Sequence, residues 1–257
     1  MDPEVIAFGT VASVAAAAGT SGPTVVRLAR ALGYPGFREL RDAARAELSV
    51  RLNTDAVRAR AEPAADPVGA LLEVERSNLD RTLGDLDTAV MTASVGSLVA
   101  ASHVWVLPST QTEGVAARFV DQLMILRDGV TLLGGSELRV ASRLRALRRG
   151  DVLVSMDVPR HELATIRLQR DAVGRGAVPL VLAGATPVGL STRGGQLLRF
   201  ACATVGPFES LIGLTALVTV LINGVAAAQP SSAARVAELE RAWTTAGLFD
   251  STGGSPN

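Results

Sequence analysis

The sequence predicts an α/β protein with an N-terminal all-α domain, in which a helix-turn-helix domain precedes a doubly wound, parallel β-sheet. Two patterns support this fold class. Apolar residues recur at helical spacing from residue 10 to about residue 101, whereas short apolar runs alternate with helical stretches beyond it. Continuous apolar strands are typical of parallel sheets that helices cover on both faces.

The composition allows a large core and excludes some chemistry. Of the 257 residues, 48% are hydrophobic and 19% are charged. All 25 basic residues are arginine, which excludes a Schiff-base lysine or a P-loop lysine. Cys202 is the only cysteine, which excludes an internal disulfide and fits a cytoplasmic location. The net charge of zero gives no sign of a nucleic-acid partner for the chain as a whole.

Helices account for the first part of the chain. The apolar pattern predicts a helix over residues 10–19 that ends at Gly19, a turn in which Ser21 is the N-cap, and a second helix over residues 24–34. A third helix is predicted over residues 36–52. After the proline-containing segment 58–67, the helical pattern resumes from Val68 to about Ala101.

The second part alternates between strands and helices, as a parallel sheet requires. The pattern predicts strands at 103–108, 130–134, 151–157, 178–184 and 199–205, and helices at 113–126, 136–147, 161–175 and 209–228.

The first two helices and their short turn have the spacing of a DNA-binding helix-turn-helix, in which the second helix enters the major groove. Polar residues gather where base and phosphate contacts would be made. The candidate DNA-binding residues are Thr20, Ser21, Thr24, Arg27, Arg30 and, on the following helix, Arg38. On spacing alone, an ordinary helical hairpin is the alternative.

The segment from Thr10 to Leu40, "TVASVAAAAGTSGPTVVRLARALGYPGFREL", resembles the DNA-binding domain of the RpiR-type bacterial transcriptional regulators. In that family a sugar-isomerase (SIS) domain follows, and the alternating second half has this layout. The resemblance implies binding to double-stranded operator DNA, a small-molecule effector such as a phosphosugar, and a homodimer or a dimer of dimers. The family usually has a further helix before the motif, whereas only nine residues precede Thr10 here.

These observations predict four segments. Residues 1–60 form a helix-turn-helix domain that is shortened at its N-terminus, and residues 61–85 form a helical linker. Residues 86–247 form the SIS-like, ligand-sensing domain, and residues 248–257 form a disordered tail.

Ligands of parallel sheets bind at the carboxyl ends of the strands, and helix N-termini favour phosphates. After the first strand, Ser109, Thr110 and Thr112 present hydroxyl groups, although Pro108 replaces the glycine that SIS domains often have there. Glu113 would disfavour a phosphate if it pointed inward. Simple N-capping of the next helix by Thr110 or Thr112 is the alternative.

At the carboxyl end of the third strand and just after it, the candidate ligand residues are Ser155, Asp157 and Arg160. The resemblance implies a serine where Asp157 stands, and a carboxylate there would repel a phosphate. Three interpretations remain open. The stretch is a structural loop with an Asp157–Arg160 ion pair and Glu162 on the helix dipole, an altered ligand site, or a site of acid–base chemistry that involves His161.

Two later segments also resemble the SIS family. Thr186, Ser191 and Thr192 retain hydroxyl groups after the fourth strand. Phe208 and Ser210 match the start of the family's final core helix, which commonly lies in a dimer interface. The apolar stripe of that helix comprises Leu214, Leu217, Val218 and Leu221, and its alternative role is to pack on the sheet.

A DNA-binding regulator is therefore the predicted function. One alternative is a sugar-phosphate isomerase, which would need an acid–base pair drawn from Glu113, His161, Glu162 and Glu209. The other is a regulator whose ligand site is not functional. No catalytic residue, metal ligand, cofactor or membrane segment is predicted.

Overall fold

The computed structural model describes residues 9–32, 34–41, 66–184 and 189–248, together with the single residues 6, 44 and 187. Before residue 66, the described residues include the helices α1 (Val11–Ala17) and α2 (Gly22–Ala31). Residues 37–41 are helical as well, and most of the predicted third helix, with Arg45 and Leu48, lies outside the described residues. The predicted tail also lies outside them, except for Leu248.

From Asp66 onward, helices and strands alternate after a first pair of helices. The helices are α3 (Pro67–Gly84), α4 (Thr88–Ala100), α5 (Glu113–Leu126), α6 (Glu137–Arg143), α7 (Leu163–Gly174), α8 (Ile212–Ala228) and α9 (Ser232–Thr245). The strands are β1 (Val104–Pro108), β2 (Val130–Leu132), β3 (Val152–Asp157), β4 (Val178–Ala183) and β5 (Gln196–Arg199).

The five strands form one sheet in the order β2-β1-β3-β4-β5, and all neighbouring pairs are parallel. β1 and β3 lie side by side, with Val104 opposite Val152 and Pro108 opposite Met156. Every residue of both strands is buried. The prediction of a doubly wound parallel sheet is therefore confirmed.

Alternate residues of the central strands supply two separate cores. On one face, Val106 and Val154 pack with apolar residues of α5 and α8, including Phe119 and Leu217. On the other face, Trp105, Leu107 and Leu153 pack with residues of α6 and α7, which include Val140 and Leu168. Burial of each large side chain contributes on the order of 1.5–3 kcal/mol, so both faces of the sheet stabilise the fold.

The helix predicted from Val68 to about Ala101 is two helices. The Asp87 carboxylate accepts hydrogen bonds from the backbone N–H groups of Ala89, at 2.8 Å, and Val90, at 3.2 Å. This N-cap starts α4 as a separate helix after α3 has ended at Gly84. Arg127 covers the other end of α4, where its guanidinium donates to the carbonyls of Leu98 and Ala101.

The fifth strand is β5, residues 196–199, and the prediction of a strand over 199–205 is wrong. The segment after β5 bonds to side chains of α3 instead of continuing the sheet. Thr82 accepts from the backbone N–H of Ala201 at 2.9 Å. Asn78 accepts from the backbone N–H of Ala203 at 3.0 Å and donates to its carbonyl at 2.8 Å.

Three predicted helices are shorter in the structure. The one predicted over 136–147 ends at Arg143 and continues as a 3₁₀ turn, Leu144–Ala146. The one predicted over 161–175 begins at Leu163. The one predicted over 209–228 begins at Ile212, whose backbone N–H donates to the hydroxyl of Ser210.

Helix α3 packs on α8 and bonds to the loop that follows β5. Most of the predicted linker 61–85 is this helix. We therefore propose that the α/β domain begins at about Asp66, with α3 as its first helix.

The stripe of the final core helix faces inward. Leu214, Leu217, Val218 and Leu221 are all buried within the core beneath the sheet. The alternative that this stripe packs on the sheet is confirmed, while a role of α8 in dimerisation stays a prediction.

Among the described residues, no single helix is long and apolar enough to span a membrane. The pair α8 and α9 reaches that length and hydropathy only when both are counted together, and the two are bent by 105°.

Replacement of Asn78 tests the contact between α3 and the loop after β5. We expect Asn78→Ala to lower the free energy of unfolding by about 1–3 kcal/mol, because the buried Asn78 side chain makes two hydrogen bonds to the backbone of Ala203 that the variant loses. Chemical denaturation of the full chain measures this. Asn223→Ala, at an exposed position of α8, is the control and should change stability by less than about 0.5 kcal/mol.

His103 gives the fold a pH dependence. Its Nε2 lies 2.9 Å from the Thr131 hydroxyl, and its ring lies against Trp105 with centroids 4.4 Å apart. Burial lowers the pKa of His103 below its ordinary value of 6.5; Asp151 opposes this shift, and Arg127 adds to it. The folded protein thus binds this proton less readily than the unfolded chain does.

We expect stability to decrease as the pH falls below about 6.5, because the unfolded chain then takes up a proton on His103 that the folded state disfavours. His103→Gln should reduce this decrease. Denaturation midpoints at about pH 7.5 and about pH 5.5 measure the effect. An identical pH dependence in the variant and the wild type would contradict the prediction.

Candidate functional site

The first helix of the N-terminal pair starts at a capping box. The Thr10 hydroxyl accepts from the backbone N–H of Ser13 at 3.2 Å, and the Ser13 hydroxyl accepts from the backbone N–H of Thr10 at 2.7 Å. These two bonds satisfy free N–H groups at the start of α1.

Residues 18–21 form the turn between α1 and α2. Gly19 has a φ of 60°, which a side chain would disfavour. Its N–H donates to the carbonyl of Ala16, and that of Thr20 donates to the carbonyl of Ala15. This Schellman motif ends α1 and redirects the chain into α2, as predicted for Gly19.

A small apolar core holds the two helices together. Val14 and Ala15 of α1 are buried against Val25 and Ala29 of α2, and Phe37 and Leu40 complete the cluster. The small alanines let the helices approach closely.

The predicted DNA-binding residues stay outside this core. Thr20, Ser21, Arg27, Arg30 and Arg38 are exposed, and Thr24 is half-buried. Ser21 occupies the N-cap position of α2 but makes no capping bond; its hydroxyl lies 2.9 Å from that of Thr24, which also accepts from Arg27 at 3.0 Å. Ser21, Thr24 and Arg27 thus form one polar strip along the start of α2.

The α/β domain has a cavity of about 220 Å³ at the carboxyl ends of β1 and β2, beside the starts of α6 and α7. It lies next to the point where the strand order reverses at β1, which is the usual ligand position in open parallel sheets. The residues that line it are Leu107, Pro108, Ser109, Thr110, Glu113, Leu133, Gly134, Gly135, Glu137, Val140, Glu162, Ala164, Thr165 and Leu168.

Two of the predicted ligand residues, Ser109 and Thr110, line this cavity. Thr112 does not, because its hydroxyl is buried and donates to the carbonyls of Ser109 and Met156. The structure also shows that Thr112 makes no capping bond to α5, although it holds the N-cap position.

The other predicted ligand residues, Ser155 and Asp157 within β3 and Arg160 after it, lie outside the cavity lining. The buried Asp157 carboxylate bonds to Nδ1 of His161, so the Asp157–Arg160 ion pair considered above is not what holds this loop. Arg160 is exposed. Ser155 is fully buried beside Leu107, and neither its hydroxyl nor Oδ1 of Asp157 has a hydrogen-bond partner among the described residues.

Glu162 reaches the cavity from the N-cap position of α7. One carboxylate oxygen accepts from the backbone N–H of Thr110 at 2.8 Å, and the other accepts from the hydroxyl of Thr165 at 3.3 Å. The sequence suggested Glu162 as a dipole partner or an acid–base candidate. Its bond to Thr110 was missed, because nothing local links residues 52 positions apart.

The remaining candidates are dispersed. Thr186 lies outside the described residues, and Ser191 bonds through its backbone to the buried amide of Gln169. Glu209 is half-buried and lines neither this cavity nor the larger one described next.

A larger cavity of about 460 Å³ lies at the carboxyl ends of β4 and β5, and no sequence pattern indicated it. Arg81 of α3 and Asp85, the residue that follows this helix, line it together with Arg199 and Cys202. The thiol of Cys202 donates to the carbonyl of Gly184 at 3.3 Å.

Comparisons with known proteins agree with both parts of the structure. Residues 2–51 match the helix-turn-helix domain of the rpiR family. The sugar isomerase domain of an RpiR transcription factor from Sphaerobacter thermophilus is similar at 27% identity and a TM-score of 0.61, over 66% of this chain and 96% of that one. No curated protein matches the chain.

Two further solved structures share the fold. The NanR protein of Vibrio vulnificus, solved in complex with ManNAc-6P, matches over 97% of this chain and 90% of its own, with a TM-score of 0.63 and 19% identity. A putative sugar-phosphate isomerase from Listeria monocytogenes matches over 63% of this chain and 88% of its own, with a TM-score of 0.52 and 14% identity.

The fold and these matches define a two-domain protein: a helix-turn-helix domain followed by an α/β domain of the sugar-isomerase type. The N-terminal part thus matches the helix-turn-helix domain of the rpiR family, and the α/β domain is similar to the sugar isomerase domain of an RpiR transcription factor.

Two variants distinguish the observed contact between Asp157 and His161 from an ion pair between Asp157 and Arg160. We expect His161→Ala to lower the free energy of unfolding by about 3–5 kcal/mol, because it leaves the buried Asp157 carboxylate without its partner. Arg160→Ala should change it by less than about 0.5 kcal/mol. Denaturant titration measures both variants, and the reverse order of effects would favour an Asp157–Arg160 pair.

Proposed function

We propose that this protein is a transcriptional regulator that binds double-stranded operator DNA through α2 and responds to a small-molecule effector through its α/β domain. The observation that carries the proposal is the matched helix-turn-helix, with an apolar core on one side and exposed polar residues at the start of α2 on the other. A regulator of this kind acts on the chromosome in the bacterial cytoplasm.

The exposed side of α2 suits DNA. Ser21 and Thr24 can bond to phosphates or base edges, and Arg27 and Arg30 can contact guanine or phosphate. Arg38, which is exposed on the next helical segment, would contact a phosphate. A homodimer or a dimer of dimers would present two such helices to the half-sites of a palindromic operator.

The effector would bind at the carboxyl edge of the sheet, where Ser109 and Thr110 line a cavity. The RpiR-type resemblance and the ManNAc-6P complex of the similar NanR protein support a sugar derivative as the starting candidate. Ser155, Asp157 and Arg160, outside the lining, would act only if the loop after β3 rearranged.

An enzymatic role is the second candidate, because Glu113 and Glu162 lie in one cavity and an isomerase needs an acid–base pair. The bond from Thr110 N–H to Glu162 disfavours it, since it ties up one carboxylate. Turnover of a sugar phosphate that was lost in both Glu113→Gln and Glu162→Gln would support the enzyme.

Specific DNA binding tests the proposed function. We expect the full chain to prefer the region upstream of its own gene over a shuffled sequence at about 0.15 M salt. Arg27→Ala and Arg30→Ala should each weaken specific binding by about 1–3 kcal/mol, or roughly 5- to 150-fold, if they contact bases. Fluorescence anisotropy with labelled duplexes measures this.

Arg118→Ala is the matched control, because Arg118 is an exposed arginine on α5 of the α/β domain. It should leave affinity nearly unchanged. Equal binding to the upstream and shuffled duplexes, or an equal loss in Arg118→Ala and Arg27→Ala, would contradict the proposal.

A further inference from the structure

The larger cavity, of about 460 Å³, is separate from the cavity that Ser109 and Thr110 line. Among the residues that the structure describes, the two cavities have no lining residue in common. The volume falls within the range of roughly 300–1,000 Å³ that is usual for small-molecule sites. The α/β domain therefore has room for a second small molecule besides the effector of the proposed function.

The loop after β5 is a fixed wall of this larger cavity. Two side chains of α3, Asn78 and Thr82, hold its backbone at Ala203 and Ala201. The backbone N–H of Phe200 donates at 3.1 Å to the last residue of β4. A cavity with such a wall is largely formed before a ligand arrives, which lowers the entropic cost of binding.

Apart from its charged groups, the lining of the larger cavity is apolar. The larger apolar side chains are Leu86, Val90, Leu197, Leu198 and Phe200. No serine, threonine, asparagine, glutamine or histidine occurs among the described lining residues. A ligand with many hydroxyl groups would find few partners here, whereas a hydrocarbon skeleton gains from leaving water.

The charged groups of the lining favour an anion. Arg81 comes from α3 and Arg199 from the end of β5. The Arg81 side chain makes no hydrogen bond or ion pair with any other described residue. Asp87 also lines the cavity, but its carboxylate accepts two backbone N–H groups at the start of α4, where the helix dipole offsets its charge. Two arginines and the exposed Asp85 remain, and arginine binds carboxylates through two parallel hydrogen bonds.

We propose that the larger cavity is a second ligand site, which binds a small carboxylic acid with a compact apolar skeleton. Arg81 binds the carboxylate, and the apolar lining takes the skeleton. An amino acid of this kind also places its ammonium group near Asp85, whereas a simple carboxylic acid or an oxo acid makes no use of that residue.

Four related probes test the site by calorimetry on the full chain. Phenylpropionate has both the carboxylate and the apolar skeleton, phenylpropanol lacks the charge, and acetate lacks the skeleton. We expect saturable binding of phenylpropionate and a dissociation constant at least about tenfold higher for phenylpropanol and acetate. Phenylalanine adds an ammonium group to the same skeleton. If it binds more tightly than phenylpropionate and Asp85→Asn removes the difference, the ligand is an amino acid; the opposite order indicates an acid without an ammonium group, and either order supports the site.

Three variants locate the binding. Arg81→Gln removes the proposed anchor at an exposed position and should weaken phenylpropionate binding about tenfold or more. Arg76→Gln is the matched control, because Arg76 is also exposed on α3 but does not line the cavity, and it should leave the affinity unchanged. Ala203→Phe should abolish binding, because its ring occupies the cavity while Asn78 keeps its bonds to the backbone.

Any of four results would overturn the inference: no saturable binding of phenylpropionate or phenylalanine, equal losses in Arg81→Gln and Arg76→Gln, full binding by a folded Ala203→Phe, or displacement of phenylpropionate by glucose 6-phosphate. Binding of the upstream duplex is measured on the same samples. Specific duplex binding without binding of either acid would refute this inference and leave the proposed function standing, and binding of the acid without specific duplex binding would do the reverse.

Discussion

The pairing of β1 with β3 at the centre of the parallel sheet is the constraint on which the rest of the α/β domain depends. Both strands are buried on both faces, so helices must cover each side. The strand order reverses at β1, with β2 on one side and β3 on the other. The loops that leave β1 and β3 therefore diverge to opposite faces and leave a crevice between them, which Glu162 enters from the start of α7.

Helix α3 shows how side chains can replace secondary structure. Asn78 bonds to both backbone groups of Ala203, as a neighbouring strand would. The same segment is held by Thr82 and lines the larger cavity together with Arg81. Because α3 follows the helix-turn-helix in the chain, these contacts tie the carboxyl edge of the sheet to the first helix that the structure describes after residue 66.

The two parts of the chain differ in how much of their structure could be predicted from the sequence. The helix-turn-helix could be predicted in detail because its determinants are local: a capping box at Thr10, a positive φ at Gly19 and apolar residues three or four positions apart. The cavity at the carboxyl ends of β1 and β2 could be predicted only as an edge of the sheet. The predicted ligand residues Ser109 and Thr110 line it, whereas the paired Asp157 and the exposed Arg160 do not.

The sequence by itself determined the fold class, the central strands and the turn of the DNA-binding motif, because hydrophobic periodicity and turn residues act over a few positions. Only the tertiary structure decided which carboxylate meets which donor. Glu162 and Thr110 are 52 positions apart, and Asn78 and Ala203 are 125 apart, so no local pattern encodes their contacts. These contacts form when packing brings strand ends and helix starts together. For the same reason the segment predicted as a strand over 199–205 is mostly a loop, which bonds to α3.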